Sequence, residues 1–203
     1  MFRSILPLAA AFAFLISAPI AHAAEKYTLD RPHTQVIFSV SHLGFTDSWG
    51  RFLDYDGSFT FDRVNPANSS VDVTVKSDSL DMGDAKWDEH LKSADFLDVA
   101  KFPTITFKST DIAVTGENTA DITGDMTILG ITKPVTLKVT HNKSGIFPMN
   151  DKMFVAGFSA TAKIKRSDFG MTKYLPMIGD DVEIHLEVQG NQEGYAGPDK
   201  GKE

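Results

Sequence analysis

The chain contains no cysteine among its 203 residues. This excludes disulfide bonds, thiolate metal ligands, a cysteine nucleophile and a lipid anchor attached through cysteine. After the N-terminal apolar run there is no second stretch long enough to cross a bilayer, so we expect no integral membrane segment in the mature chain. The fold must rest on its hydrophobic core alone.

A surplus of basic charge is also missing. The chain has 20 Lys and Arg residues against 27 Asp and Glu residues, which gives a formal net charge of −7. Binding to nucleic acid relies on clustered Lys and Arg side chains that neutralise phosphates. We therefore expect no nucleic-acid partner.

Catalytic and metal-binding motifs are absent from the sequence too. There is no G-x-S-x-G, P-loop or G-x-G-x-x-G pattern. The histidines beyond residue 23 lack the spacing of metal ligands or of an acid–base pair. They are His33, His42, His90, His141 and His185. We predict structural roles for them, no catalytic residue, no metal site and no cofactor.

The N-terminus has the pattern of a cleaved signal peptide. Arg3 supplies a positive charge, Ile5–Ala18 is apolar, and Ala21-His22-Ala23 is a small-residue cleavage site. We predict that residues 1–23 are removed and that the mature, exported protein begins near Ala24.

The mature chain is dominated by alternating apolar and polar residues, the pattern of half-buried β-strands. Val36, Phe38 and Val40 alternate with polar neighbours, and Phe154–Ile164 repeats the pattern over a longer stretch. About eight such segments predict one all-β domain over residues 24–190, either a closed antiparallel barrel or a sandwich. The polar, glycine-rich stretch 191–203 is predicted to be a disordered tail.

One segment, at about residues 84–99, has helical spacing instead. Trp87, His90 and Leu91 fall on one helix face, and Asp84 is placed to cap the first turn. A single short helix in an all-β chain predicts a cap over one end of the barrel.

The interior allows two interpretations. Ala156, Ala160, Ala162 and Gly124 fall on inward faces, and the apolar loop Met171–Ile178 must cover something. These features favour an open lumen, whereas ordinary packing against larger neighbours is the alternative.

Arg166, at the end of the long strand, also has two interpretations. Its guanidinium could bind an anionic head group, or it could bind a carboxylate of the helical segment such as Asp88 or Asp95. We favour the structural role.

Several stretches, in order along nearly the whole mature chain, resemble the YceI-like family of exported lipid-binding proteins. They are Asp30–His42, Gly57–Phe59, Asp88–Asp98, Phe102–Ser109, Gly124–Lys133 and Gly157–Gly170. Thr34, where serine is expected, and Trp87, where a polar residue is commoner, depart from the family pattern.

The resemblance implies an extended, lipocalin-like antiparallel barrel that holds an isoprenoid or similar long-chain amphipathic lipid in the periplasm, without catalysis. The ligand-binding candidates that it implies in the lumen are Val36, Phe38, Val40, Phe52, Ile105, Phe107, Met126, Phe158, Ala160, Phe169, Leu175 and Ile184.

Two other functions remain as alternatives. One is an enzyme acting on isoprenoid quinones or related lipids, with a histidine as the acid–base group. The other is a stress-related structural or interaction protein with a packed core. The sequence leaves the oligomeric state open, with a homodimer as one option.

Overall fold

The computed structural model describes residues 24–198. The predicted signal peptide and residues 199–203 lie outside the described residues. Within the described range the elements are β1 (Glu25–Leu29), β2 (Gln35–His42), β3 (Thr46–Phe52), β4 (Tyr55–Phe61), β5 (Ser70–Lys76), β6 (Leu80–Asp81), α1 (Ala85–Lys92), β7 (Thr104–Val114), β8 (Thr119–Ile128), β9 (Ile131–Phe147), β10 (Asn150–Lys165) and β11 (Ile178–Gln192). Short 3₁₀ helices occupy Arg31–His33, Pro66–Asn68, Ser77–Ser79 and Arg166–Phe169.

Eight antiparallel strands close into a barrel in the order β1-β4-β5-β7-β8-β9-β10-β11, and β11 pairs with β1 to complete the circle. The other three strands, β2, β3 and β6, continue the sheet from the first part of β11. The prediction of an all-β barrel with one short helix is confirmed. The pairing of β11 with β1 means that, within residues 24–198, none of the eight barrel strands is an edge strand of an open sheet.

The chain bends twice beside the barrel closure. β1 and β2 are separated by the 3₁₀ turn at Arg31–His33, and β3 and β4 are separated by two residues. Tyr55 joins the bends, because its buried hydroxyl donates to the backbone carbonyls of Thr34 and Arg31, the latter at 3.2 Å. On the surface Arg31 pairs with Asp54 at 2.7 Å. Tyr55, in the second bend, therefore fixes the predicted Asp30–His33 turn in place through its hydrogen bonds.

The helix begins as predicted but ends earlier. Asp84 Oδ1 accepts the backbone N–H groups of Lys86 at 3.1 Å and Trp87 at 3.0 Å, which satisfies two free donors of the first turn. Ser93 has extended dihedral angles and ends the helix after Lys92. The second half of the predicted segment 84–99 is instead a set of turns, which bury Phe96.

The antiparallel order gives the barrel two distinct ends. We call the end that carries α1, the β2–β3 turn, the β8–β9 turn and the segment between β10 and β11 the helical end. The opposite end carries the β7–β8 and β9–β10 turns and the chain between β4 and β5. Both ends matter for access to the interior.

The last strand runs further than the sequence indicates. β11 continues to Gln192, two residues past the predicted domain boundary. Beyond it, Glu193 pairs with Lys26 at 3.1 Å, and the ring of Tyr195 lies 5.5 Å from that of Phe154. Residues 191–193 and Tyr195 therefore contact the barrel.

Candidate functional site

A cavity of about 770 Å³ extends through the barrel interior. Its wall consists mainly of inward-facing aliphatic and aromatic side chains from the strands. At the helical end the wall includes Trp87, His90 and Tyr174, and at the opposite end it includes Arg63 and Glu117. The volume is within the range of ligand pockets.

The structure brings together most of the residues predicted to line the lumen. Those in the cavity wall are Val36, Phe38, Val40, Phe52, Ile105, Phe107, Met126, Phe158, Ala160 and Ile184. Two others lie outside it. Phe169 is fully buried in the core cluster that also contains Ala162 and Ile164, and Leu175 is half-buried in the loop before β11. Both follow the end of β10, where strand alternation no longer predicts which way a side chain points.

The candidate set also misses part of the wall. Most of the missed residues follow the same alternation of apolar and polar positions along their strands. The missed residues include Tyr55, Phe59, Phe61, Val71, Val73, Val75, Ile122, Leu137, Val139, Val182, Leu186 and Val188. The contributions of Leu80 and Met82 carry no such signal, because β6 has only two residues.

Small inward residues do not all leave open space, contrary to the sequence-based argument. Ala156 is fully buried in a cluster with Tyr27 and Phe59. The position beside Gly124 is filled by the ring of Phe107. Of the three alanines on β10, Ala160 lies in the cavity wall, between Val139 on β9 and Leu186 on β11.

A cluster of three aromatic side chains closes part of the helical end. The ring of His90 on α1 lies 5.1 Å from Phe96 and 6.3 Å from Tyr174, and Phe96 and Tyr174 lie 6.1 Å apart. Met171 from the same loop and Ile178 at the start of β11 are also in the wall. The prediction that this apolar loop covers the interior agrees with these positions.

Arg166 lies in the wall, but its partners differ from those predicted. Its Nε donates to the Gly179 carbonyl at 2.7 Å, and its other nitrogens donate to Met171 at 2.9 Å and Ile178 at 3.0 Å. Burial lowers the pKa of Arg166, while the charge of Asp180 opposes that shift. The structural role is thus observed, with three backbone carbonyls in place of a carboxylate.

The two carboxylates proposed for Arg166 have other partners. Asp88 Oδ1 accepts the backbone N–H of Met82 at 2.7 Å, and Asp95 pairs with Lys173 at 3.0 Å. Both interactions tie the helical segment to its neighbours. The planar fork of the guanidinium suits a loop that presents several carbonyls from different directions.

Two polar side chains of the wall at the opposite end, Arg63 and His141, have protein partners. Arg63 makes a two-point contact with Glu25, at 3.0 and 2.6 Å, and its guanidinium lies 4.6 Å from the centre of the Phe154 ring. His141 is hydrogen-bonded to the Ser144 hydroxyl at 2.7 Å, and burial lowers its pKa. The wall therefore offers mainly apolar contact to a ligand.

Within residues 24–198 no group of three or more His, Cys, Asp or Glu side chains is placed to hold a metal ion. No helix of that same range is both long and apolar enough to cross a membrane.

The chain is similar to known proteins over most of its length. A UPF0312 protein of Enterobacter sp. (strain 638) is 44% identical over 172 residues, which cover 84% of this chain and 88% of that protein. The crystal structure of Burkholderia cenocepacia BcnA matches with a TM-score of 0.72 and 27% identity, covering 79% of this chain and 98% of BcnA. A polyisoprenoid binding domain from Saccharophagus degradans shares the fold, with a TM-score of 0.63 and 12% identity over 82% of this chain and 98% of that domain.

The family model described as the YceI-like domain matches residues 27–190, which is nearly the whole barrel from β1 to β11. The chain belongs to the YceI-like family.

Proposed function

We propose that this protein is an exported carrier that holds a polyisoprenoid or similar long-chain amphipathic lipid in its barrel, without acting on it chemically. The observation that carries the proposal is the apolar cavity of about 770 Å³ that extends towards both ends of the barrel. An elongated apolar ligand fits such a space better than a compact polar one. The polyisoprenoid binding domain of Saccharophagus degradans, which shares this fold, supports the same ligand class.

Desolvation supplies the driving force. Each buried CH₂ group contributes roughly 0.8 kcal/mol, so a prenyl chain of several units gains enough to offset the cost of ordering it. A wall built from aliphatic and aromatic side chains needs no specific hydrogen bonds to hold such a chain.

An enzyme remains less well supported than a carrier. The contact of a histidine with a carboxylate, His33 Nδ1 to Asp30 Oδ2 at 2.8 Å, lies outside the cavity wall. His141, within the wall, is bonded to a hydroxyl, and burial lowers its pKa. A general base oriented by a carboxylate would be expected inside the lumen.

Organic extraction of the protein purified from its native compartment, followed by mass spectrometry, tests for the ligand directly. We expect a lipid with a long isoprenoid or other apolar chain in stoichiometric amount. Recovery of delipidated protein that takes up no such lipid in a titration would contradict the proposal.

Two matched variants on β10 test whether the lumen is the binding site. Ala160→Phe places a ring in the cavity, so we expect little change in stability of the lipid-free protein and a loss of lipid binding of at least about tenfold. Ala156→Phe places the same ring in the filled aromatic cluster, where overpacking costs about 1–3 kcal/mol. Unchanged lipid affinity in Ala160→Phe would place the ligand elsewhere.

Export is tested separately. The signal-peptide pattern predicts periplasmic protein that begins at or next to Ala24. Intact-mass measurement of protein from the periplasmic fraction should give the mass of the chain without residues 1–23, and a mass that retains them would contradict export by cleavage.

A further inference from the structure

Two segments at the helical end carry four large exposed apolar side chains. In the β2–β3 turn, Leu43 is 48% exposed and Phe45 is 85% exposed. In the loop before β11, Tyr174 is 43% exposed and Met177 is 58% exposed. We call the segments Leu43–Phe45 and Tyr174–Met177 together the apolar rim.

The two segments are held together as one surface. The backbone N–H of Leu43 donates to the Met177 carbonyl at 3.1 Å, and Ile178 N–H donates to the Tyr174 carbonyl at 2.9 Å. His42 at the end of β2 is the strand partner of Ile178. The position of the exposed turn is therefore fixed relative to the exposed loop.

The rim carries no charge. Neither segment contains Asp, Glu, Lys or Arg, whereas 23% of the whole chain is charged. Lys173, next to Tyr174 in the chain, pairs with Asp95 at 3.0 Å and lies 5.5 Å from the centre of the Tyr174 ring. An uncharged aromatic and aliphatic tip that includes a tyrosine and lies beside a lysine is the composition of a surface that enters the boundary region of a bilayer.

The rim is continuous with the cavity. Tyr174 belongs to both, and its neighbours Ile178 and His42 lie in the cavity wall. Trp87, partly exposed on α1, also lines the cavity at this end. A chain leaving a bilayer at the rim could enter the lumen without crossing water.

We propose that the apolar rim docks on the surface of a lipid bilayer and that lipid enters or leaves the barrel at the helical end. The inference rests on the proposed function, because it concerns how that ligand reaches its site. A protruding turn with an almost fully exposed Phe45 suits a fluid bilayer, which closes around it, better than a protein partner, which would need a matching pocket. The opposite end is less suited, since Arg63 and Glu117 are part of the cavity wall there.

The opposite end nevertheless provides a matched control. Met149 is 83% exposed in the β9–β10 turn, and Val64 is 73% exposed in the chain after β4. The double variant Phe45→Ser/Met177→Ser removes exposed apolar groups from the rim. The double variant Val64→Ser/Met149→Ser removes comparable groups from the other end. None of these substitutions introduces charge.

Flotation of the delipidated protein with vesicles of phosphatidylethanolamine and phosphatidylglycerol measures docking. We expect the rim variant to lose at least about tenfold in vesicle partitioning, equivalent to about 1.4 kcal/mol. The control variant should partition like the wild type. Equal partitioning of all three proteins, or a loss confined to the control variant, would overturn the proposal.

Two further measurements separate this inference from the proposed function. Lipid supplied from detergent solution should bind the rim variant as well as the wild type, while Ala160→Phe should still dock on vesicles. Wild type that binds lipid but does not float with vesicles would overturn the docking proposal alone. Sedimentation of a wild-type dimer that becomes monomeric in the rim variant, without vesicle binding, would assign the rim to contact between copies and overturn it too.

Discussion

The ring of Phe107 occupies the space beside Gly124. A β-carbon on Gly124 would lie 2.5 Å from Phe107 Cζ and 2.6 Å from the Lys108 carbonyl oxygen. The first contact is with a side chain that faces the cavity, and the second is with backbone that cannot easily move. Glycine at this position therefore allows β7 and β8 to approach each other while Phe107 remains in the wall.

Gly124→Ala should destabilise the protein, because the added methyl group pushes Phe107 and the backbone of β7 apart. Overpacking of this kind costs about 1–3 kcal/mol. Urea denaturation of lipid-free protein measures the change in the free energy of unfolding. Gly145→Ala on β9 is the control, since a β-carbon there meets nothing within 4 Å. If the two variants had the same denaturation midpoint, the close approach at Gly124 would be unimportant.

Gly124 also shows where interpretation of the sequence reaches its limit. Alternation correctly predicts that position 124 faces inward, because a strand has only two faces. It does not predict which neighbouring side chain leans over a small residue, since that depends on the register between strands. The same limit applies to Ala156, which is packed, and Ala160, which lines the cavity. The presence of a barrel could be predicted, but not where its volume is open.

In the segments without strand periodicity, the sequence predicts side-chain partners and directions less well. Asp84 was correctly identified as a helix cap because capping is a local interaction. The sequence predicts a carboxylate partner for Arg166. Its guanidinium instead binds three backbone carbonyls of the following loop and of the start of β11. Phe169 ends the short 3₁₀ helix after β10 and Leu175 lies in the following loop, where strand alternation does not relate sequence position to direction.

Arg166→Lys should destabilise the loop before β11. Lysine has a single nitrogen and cannot reach the three carbonyls that the guanidinium contacts, so buried acceptors lose their donors. Each unsatisfied buried group costs about 1–3 kcal/mol, and we expect a total loss of about 2–4 kcal/mol in the free energy of unfolding. Chemical denaturation measures it.

Arg51→Lys is the matched control for this substitution. Arg51 pairs with Asp81 at 2.8 Å on the surface, where such pairs contribute about 1 kcal/mol or less. A loss in Arg166→Lys no larger than that in Arg51→Lys would show that the three carbonyl contacts do not stabilise the fold.

Tyr55→Phe should destabilise the bend between β1 and β2. The substitution keeps the ring in the cavity wall but leaves the Thr34 carbonyl without its donor, and we expect a loss of about 1–2 kcal/mol. Tyr174→Phe removes a hydroxyl from a partly exposed ring and should change stability little. Thermal and urea unfolding of both variants would check this, and equal stability of the two would argue against a role for Tyr55 in fixing the bend.

His141 should make the protein less stable in mild acid. Burial lowers the pKa of His141 in the fold, whereas the unfolded chain titrates near the ordinary histidine value of about 6.5. Below that pH the unfolded state binds the proton more readily than the folded state. The contribution of His141 to the free energy of unfolding is therefore complete above about pH 6.5. It is lost progressively as the pH falls towards the lowered pKa of His141 in the fold.

His141→Gln removes the titrating group and should reduce the difference between the urea midpoints at about pH 7.5 and about pH 5.5, which lie on either side of the histidine value. Ser144→Ala provides the comparison, because it removes the hydrogen-bond partner of His141 and leaves the imidazole in place. Its pH dependence should persist even if its stability falls. An acid-induced loss that is as large in His141→Gln as in the wild type would assign the effect to other groups. A loss that disappears in Ser144→Ala would mean that the hydroxyl contact, rather than burial beside Phe61 and Phe158, lowers the pKa of the imidazole.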